Sequence, residues 1–328
     1  MTSSPSEIDL PTIFDPASLV KKGLCPVTEI RYDGDALESH SLYYEQHGTG
    51  PEKIVFIMGL NSTSFSWTNQ VEYFGNNPKY SILVFDNRGV GNSGTPFGPY
   101  TTSEMARDVV VLLDYIGWKE GRGVHVVGIS LGGMIAQELS TLIPHRIASL
   151  SLVVTTAGGR IWNNFPPLKG TLTLARQLMV KDPAVRASNS LGVLFPTAWL
   201  EAVAKGDPRG RTNRQIETEN FLKRFYAARP QSFIGVISQM AAGLTHRVTG
   251  DRLKEISKLI PKVLIATGDE DHLVDPQRSR FIKANMPEAE LVEFPGTGHA
   301  IQLQWPREFN ELIARAILEG RSRLTERV

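Results

Sequence analysis

Cysteine is almost missing from this chain of 328 residues: Cys25 is the only one. No internal disulfide can form, which excludes the disulfide-stapled frameworks of small extracellular domains. No cysteine–histidine spacing suggests a zinc site, so no metal and no cofactor is expected. An excess of one charge sign is missing too. Thirty-five Lys and Arg against 34 Asp and Glu leave a formal charge of +1. That balance gives no electrostatic footprint for nucleic acid or an anionic membrane, and neither is expected as a partner. No apolar run approaches the roughly 18 residues of a membrane span. The first residues, MTSSPSEIDLP, carry no basic leader ahead of an apolar stretch. Asn61-Ser62-Thr63, which matches a glycosylation acceptor, is therefore read as a chance match, and a cytoplasmic location is expected. Internal repeats and low-complexity tracts are absent as well.

What is present is an ordinary globular composition, 41% hydrophobic and 21% charged, in a chain long enough for one large domain with an insertion. Residues 1–26 are polar and punctuated by proline, and read as a loosely attached arm. Strands are expected at Val27–Tyr32 and Ser41–Gln46. Beyond the turn HGTGPEK, apolar strands alternate with amphipathic helices: KIVFIMG, then SWTNQVEYF, then YSILVFD, then TTSEMARDVVVLLDYIG with a cap at Thr102 or Ser103. VHVVG, MIAQELSTLI and ASLSLVV continue the series. Such alternation predicts an α/β fold, a mostly parallel sheet with helices on both faces. The alternation stops near Gly158. A proline-broken helical stretch fills 158–250, and the strands PKVLIATG and AELVEF and a final helix over 305–318 follow. The chain therefore divides into an arm (1–26), a core (27–157 and 251–320), an inserted helical cap (158–250) and a basic tail (321–328).

Ser130 stands where the strand VHVVG gives way to helical periodicity, with Gly128, Gly132 and Gly133 crowding the turn. A serine there could simply cap a helix, but strand–G-x-S-x-G–helix is also the context of a nucleophile elbow. A nucleophilic serine needs a histidine base, and that base needs an orienting carboxylate. His299, in the loop FPGTGHAIQ, has small neighbours and little to pack against. His246 and His272 are lesser rivals, and His125 is expected to point into the sheet packing. The loop ATGDEDHLVDP offers four acids. Asp269 sits so close to the strand end that it reads as a turn cap, and Asp275, before Pro276, reads as a helix cap. Glu270 and Asp271 remain.

GISLGG, FDNRGVGNSG, GDEDHLVDP and GTGHAIQLQWP together resemble the α/β-hydrolase fold enzymes that carry a helical cap: esterases, lactonases, perhydrolases and C–C bond hydrolases. The resemblance runs from about Val27 to Leu318. It implies that the acid lies three residues after the glycine of GDED, at Asp271, giving a triad of Ser130, Asp271 and His299. It also implies an oxyanion hole from the backbone N–H groups of Leu60 and Leu131, although Met58 stands where the family usually has histidine. Asp86 and Arg88 are then loop braces rather than substrate ligands. The implied activity is cleavage of a small apolar ester or lactone through an acyl-enzyme. C–C cleavage, perhydrolysis and a slow-turnover ligand receptor are the alternatives. Trp162, Phe165, Phe195, Trp199 and Met240 are candidate pocket walls in the cap.

Overall fold

In the computed structural model the described residues are 10–29 and 37–325. Eight strands form one sheet: β1 (Leu19–Glu29), β2 (Glu38–His47), β3 (Glu52–Ile57), β4 (Tyr80–Phe85), β5 (Val124–Ile129), β6 (Ile147–Val153), β7 (Lys262–Gly268) and β8 (Glu290–Phe294), in the order β1-β2-β4-β3-β5-β6-β7-β8. The first two pairings, β1 with β2 and β2 with β4, are antiparallel. Every later pairing is parallel. β5, β6 and β7 are buried along their whole length, as their largely apolar sequences suit when helices cover both faces.

On one face lie α2 (Thr102–Tyr115), α3 (Leu131–Leu142), α9 (Gly250–Leu259) and α10 (Pro276–Asn285), burying Leu112, Ile135 and Leu253 against Val126 and Leu150. On the other, α1 (Thr68–Gly75) and α12 (Pro306–Thr325) bury Phe74, Phe309 and Ile313 against Phe56 and Leu264. The short α11 (Ile301–Gln304) precedes α12. Five helices stand between β6 and α9: α4 (Leu168–Gln177), α5 (Pro183–Leu194), α6 (Thr197–Glu201), α7 (Asn213–Ala227) and α8 (Phe233–Thr245).

These helices rest on the loops at the carboxyl ends of the strands. The approach at Gly170 is so close that a Cβ there would stand 2.2 Å from the His272 carbonyl oxygen. The Ala300 N–H donates to the Leu194 carbonyl at 3.2 Å. Leu191, Phe195 and Leu200 pack on Ala300.

The structure differs from the sequence reading at both ends. β1 begins at Leu19, well inside the expected arm, and ahead of it Leu10 and Phe14 are buried in the core on the α1 and α12 face. β1 is a sheet edge, so one row of its backbone groups is unpaired, and Lys21, Lys22 and Pro26 fit there where a central strand would reject them. That polarity hid the strand. Part of the strand expected over 27–32 lies outside the described residues. α12 runs on to Thr325, past the start of the expected tail. The cap of α2 is Thr101, one residue earlier than expected. Its hydroxyl accepts the Glu104 N–H while the Glu104 carboxylate accepts its own, a reciprocal capping box.

Candidate active site

Ser130 joins β5 to α3 with φ of 56° and ψ of −121°, a left-handed conformation that a side chain adopts only under constraint. The constraint is visible in its own backbone. The Ser130 N–H donates to the Val153 carbonyl at 2.9 Å. Its carbonyl accepts the Thr155 hydroxyl at 2.7 Å and the Gly133 N–H at 2.9 Å. Room for this turn comes from glycine: a Cβ on Gly132 would lie 2.0 Å from the Ile57 carbonyl oxygen, and one on Gly128 would lie 2.3 Å from that of Gly132. The strained serine is thus left partly accessible at the sheet's carboxyl edge.

The acid loop follows β7 and the histidine loop follows β8, its parallel neighbour. The two loops are stitched together. The Glu270 N–H donates to the Thr297 carbonyl at 2.9 Å, and the Thr297 N–H donates to Asp269 at 3.1 Å. Asp269 therefore caps the histidine loop rather than its own. Asp275 caps α10, accepting the Gln277 N–H at 2.9 Å, and Glu270 is exposed. Asp271 alone of the four acids reaches the imidazole. Its Oδ2 lies 2.7 Å from His299 Nδ1, while its Oδ1 accepts the N–H groups of Leu273 and Val274 at 2.7 and 2.9 Å. Both partners are buried. An ionised Asp271 accepts only, so Nδ1 carries the proton and Nε2 is left as the basic nitrogen. Ser130 Oγ forms no hydrogen bond to His299 among the described residues, and the distance between catalytic groups is often long before substrate binds.

The turn after β3 reads Met58-Gly59-Leu60-Asn61. Neither the Leu60 nor the Leu131 N–H is spent on another hydrogen bond among the described residues, so both remain available to an oxyanion. Met58 is buried in the core on the α1 and α12 face. The turn is held instead by amides that no motif in the sequence singles out. Asn87 Nδ2 donates to the Met58 carbonyl at 2.9 Å, and the Asn61 N–H donates to Gln239 Oε1 at 2.8 Å.

Asp86 and Arg88 are braces, as the sequence suggested. Asp86 accepts the N–H and hydroxyl of Ser64, each at 2.8 Å, and the Asn92 N–H at 2.8 Å. Burial outweighs these bonds and raises its pKa to about 6. Arg88 grips Asp108 through two hydrogen bonds of 2.7 and 2.8 Å and also reaches Glu38. Glu38, His40 and Asp108 lie close enough to hold a metal ion, but the cation seated among these carboxylates is the Arg88 guanidinium.

Two of the other histidines are engaged elsewhere. His246 is buried against the Thr102 hydroxyl at 2.8 Å. His125 lies between Ser149 and Glu52, each at 2.8 Å. Of the candidate pocket walls, Trp162 and Phe165 are exposed, and Phe195 is sealed in a cluster with Leu191 and Ala300, its ring stacked on Trp199 at 4.8 Å. Trp199 and Met240 remain partly accessible.

Comparison with known proteins agrees with this fold. The profile of the α/β hydrolase fold family matches residues 53–306. A protein of Azorhizobium caulinodans provisionally named a carbamate hydrolase, RutD, is 28% identical over 86% of this chain and 95% of its own length. The 2-hydroxy-6-oxononadienedioate/2-hydroxy-6-oxononatrienedioate hydrolase of Burkholderia vietnamiensis is 27% identical over 86% of this chain and 91% of its own. Among solved structures, Est816, an N-acyl homoserine lactone degrading enzyme, is 27% identical with a TM-score of 0.63, covering 87% of this chain and 98% of its own.

Proposed function

The chain belongs to the α/β hydrolase fold family of enzymes, and on that premise we propose that it is a serine hydrolase of carboxylic esters or lactones. Ser130 attacks the substrate carbonyl. His299 Nε2 takes the serine proton and returns it to the leaving oxygen, and Asp271 holds the imidazole in the required tautomer. The N–H groups of Leu60 and Leu131 receive the charge that develops on the carbonyl oxygen. Water then attacks the acyl-enzyme with His299 again as base. The helices α4 to α8 act as a cap that shapes the pocket and limits water, and Trp199 and Met240 are its apolar lining.

One observation supports this reading above the others: the pairing of Asp271 with His299 on the same sheet edge as the strained Ser130. Oδ1 of Asp271 is fixed by two backbone N–H groups, which leaves Oδ2 aimed at His299 at 2.7 Å, the arrangement a base-orienting carboxylate requires. The test is labelling with a fluorophosphonate probe, followed by turnover of short acyl esters and lactones. Ser130 is expected to carry the label, and Ser130→Ala should abolish both labelling and turnover in folded protein. Labelling of another serine, or undiminished turnover by that variant, would sink the assignment.

A further inference from the structure

The turn that carries the Leu60 N–H is a short stretch of backbone with an unusual degree of freedom. Gly59, just before Leu60, has no Cβ to restrict it, and a Cβ there would crowd Ser130 Cβ at 3.1 Å. Asn61, just after Leu60, is left-handed with φ of 52°. A peptide that follows a glycine can rotate unless its neighbours are held. Both neighbours are. The Met58–Gly59 peptide is held at its carbonyl by Asn87 at 2.9 Å, and the Leu60–Asn61 peptide is held at its N–H by Gln239 at 2.8 Å. The peptide bearing the Leu60 N–H lies between these two clamps.

Asn87 comes from the loop after β4, part of the body. Gln239 comes from α8, in the helical segment. It is fully buried, and both ends of its amide are engaged: Oε1 accepts from Asn61, and Nε2 donates to the Arg88 carbonyl at 2.7 Å. A side chain fixed at both ends transmits position rather than merely filling space. Its helix is itself seated closely on the body, since a Cβ on Gly235 would lie 2.2 Å from the Gly89 carbonyl oxygen and one on Gly98 would lie 1.9 Å from Ser238 Oγ. Gln231 adds a second tie, donating to Asn61 Oδ1 at 3.0 Å and to the Gly89 carbonyl at 2.9 Å.

We propose that Gln239 is a positioning residue that sets the oxyanion donor of Leu60 from the cap, so that seating of α8 on the body and stabilisation of the transition state are one event. The inference rests on the serine-hydrolase reading above. Loss of the clamp should weaken an interaction that strengthens in the transition state, and so lower kcat with little change in KM. Removing a whole donor costs roughly 10²–10³ in kcat in a comparable enzyme. Misaiming one should cost less, on the order of 10- to 100-fold.

The experiment compares Gln239→Met and Gln239→Glu with wild type after fluorophosphonate labelling has identified the nucleophile. Gln239→Met keeps the bulk of the side chain and removes both hydrogen bonds. It should lower kcat and weaken inhibition by a phenylboronic acid, whose tetrahedral adduct needs the oxyanion hole, while KM stays within a few-fold. Gln239→Glu should be impaired at high pH, where a carboxylate faces the Arg88 carbonyl. It should approach wild type as pH falls and the protonated acid reproduces the donor and acceptor of the amide. A merely structural role would not produce that pH-dependent rescue. Wild-type kcat and boronate affinity in Gln239→Met overturn the proposal, as does a Gln239→Glu to wild-type ratio that does not change with pH. Should the probe label a serine other than Ser130, the hydrolase reading itself fails and carries this inference with it. Should Ser130 be labelled while Gln239→Met turns over normally, only the positioning role is lost.

Discussion

Asp271 uses its two oxygens for different things, and the division predicts what a conservative change does. Oδ1 is committed to the N–H groups of Leu273 and Val274, and Oδ2 faces His299. In Asp271→Asn the remaining carbonyl oxygen is drawn to the two backbone donors, which turns the amide nitrogen toward the imidazole. Nδ1 must then accept, so Nε2 carries the proton and can no longer act as base. The expected loss in kcat is about 10⁴, the magnitude of the same change in serine proteases, with the fold unchanged. Asp269→Asn keeps an acceptor for the Thr297 N–H and should cost far less. A steady-state comparison of the two purified variants decides the matter: greater damage from Asp269→Asn would transfer the role to that residue.

At the scale of single elements, the elbow between β5 and α3 depends on glycine for closeness rather than for flexibility. A methyl group on Gly132 would collide with backbone at 2.0 Å, where no side chain can move aside. Gly132→Ala should therefore push α3 away from β3, destabilise the protein by about 3 kcal/mol or more, and misplace Ser130. Gly192 is the useful contrast. It lies inside α5, and nothing stands within 4 Å of the position its Cβ would take. Gly192→Ala should stabilise the protein by about 0.5–1 kcal/mol, the propensity difference alone. Urea unfolding of both variants checks the pair. A neutral Gly132→Ala would mean the elbow has slack that its geometry denies.

For the whole molecule, buried titratable groups set the response to acid. Burial, reinforced by the charge of Arg252, holds the His246 pKa down to about 3. A free histidine takes its proton near 6.5, so between those values acid protonates the unfolded chain but not the folded one. His246 accordingly costs stability as pH falls from about 6.5 to 3. Asp86 works in the opposite sense. Its folded pKa, raised to about 6 by burial, lies above the ordinary 3.8, so the folded state gains the proton first and is stabilised as pH falls through that window. Asp108 adds an acid limb. Burial opposes its ionisation, but the hydrogen bonds from Arg88 prevail and bring its pKa to about 2. The stability it contributes is present above 3.8 and is lost as pH falls toward 2. Replacing His246 with Gln should therefore leave Asp86 unopposed. The stability of the variant relative to wild type should rise on acidification from pH 6.5, at up to about 1.4 kcal/mol per pH unit. Urea midpoints of the two proteins that run parallel from pH 6.5 to 4 would refute this.

The alternating pattern was legible in the sequence because period and composition are local properties. A strand buried on both faces is largely apolar, and the helix after it presents one apolar stripe. Ser130, His299 and the acid loop stood out as candidates for a related reason: each belongs to a short turn whose glycines and flanking strand are contiguous in the chain, while the choice of Asp271 over Glu270 came from the family resemblance. The edge strand β1 was not, since an edge position relaxes the requirement for apolar residues that makes strands visible. Nor was the exposure of Trp162 and Phe165, because an aromatic side chain does not announce which side of a helical segment it faces. Gln239 lies furthest from what sequence could reveal. It is 178 positions from Asn61, and a glutamine in an amphipathic helix carries no local mark. Only the folding of α8 across the β3 and β4 loops brings its amide to the two backbone groups it joins, and only there does burial make both hydrogen bonds obligatory.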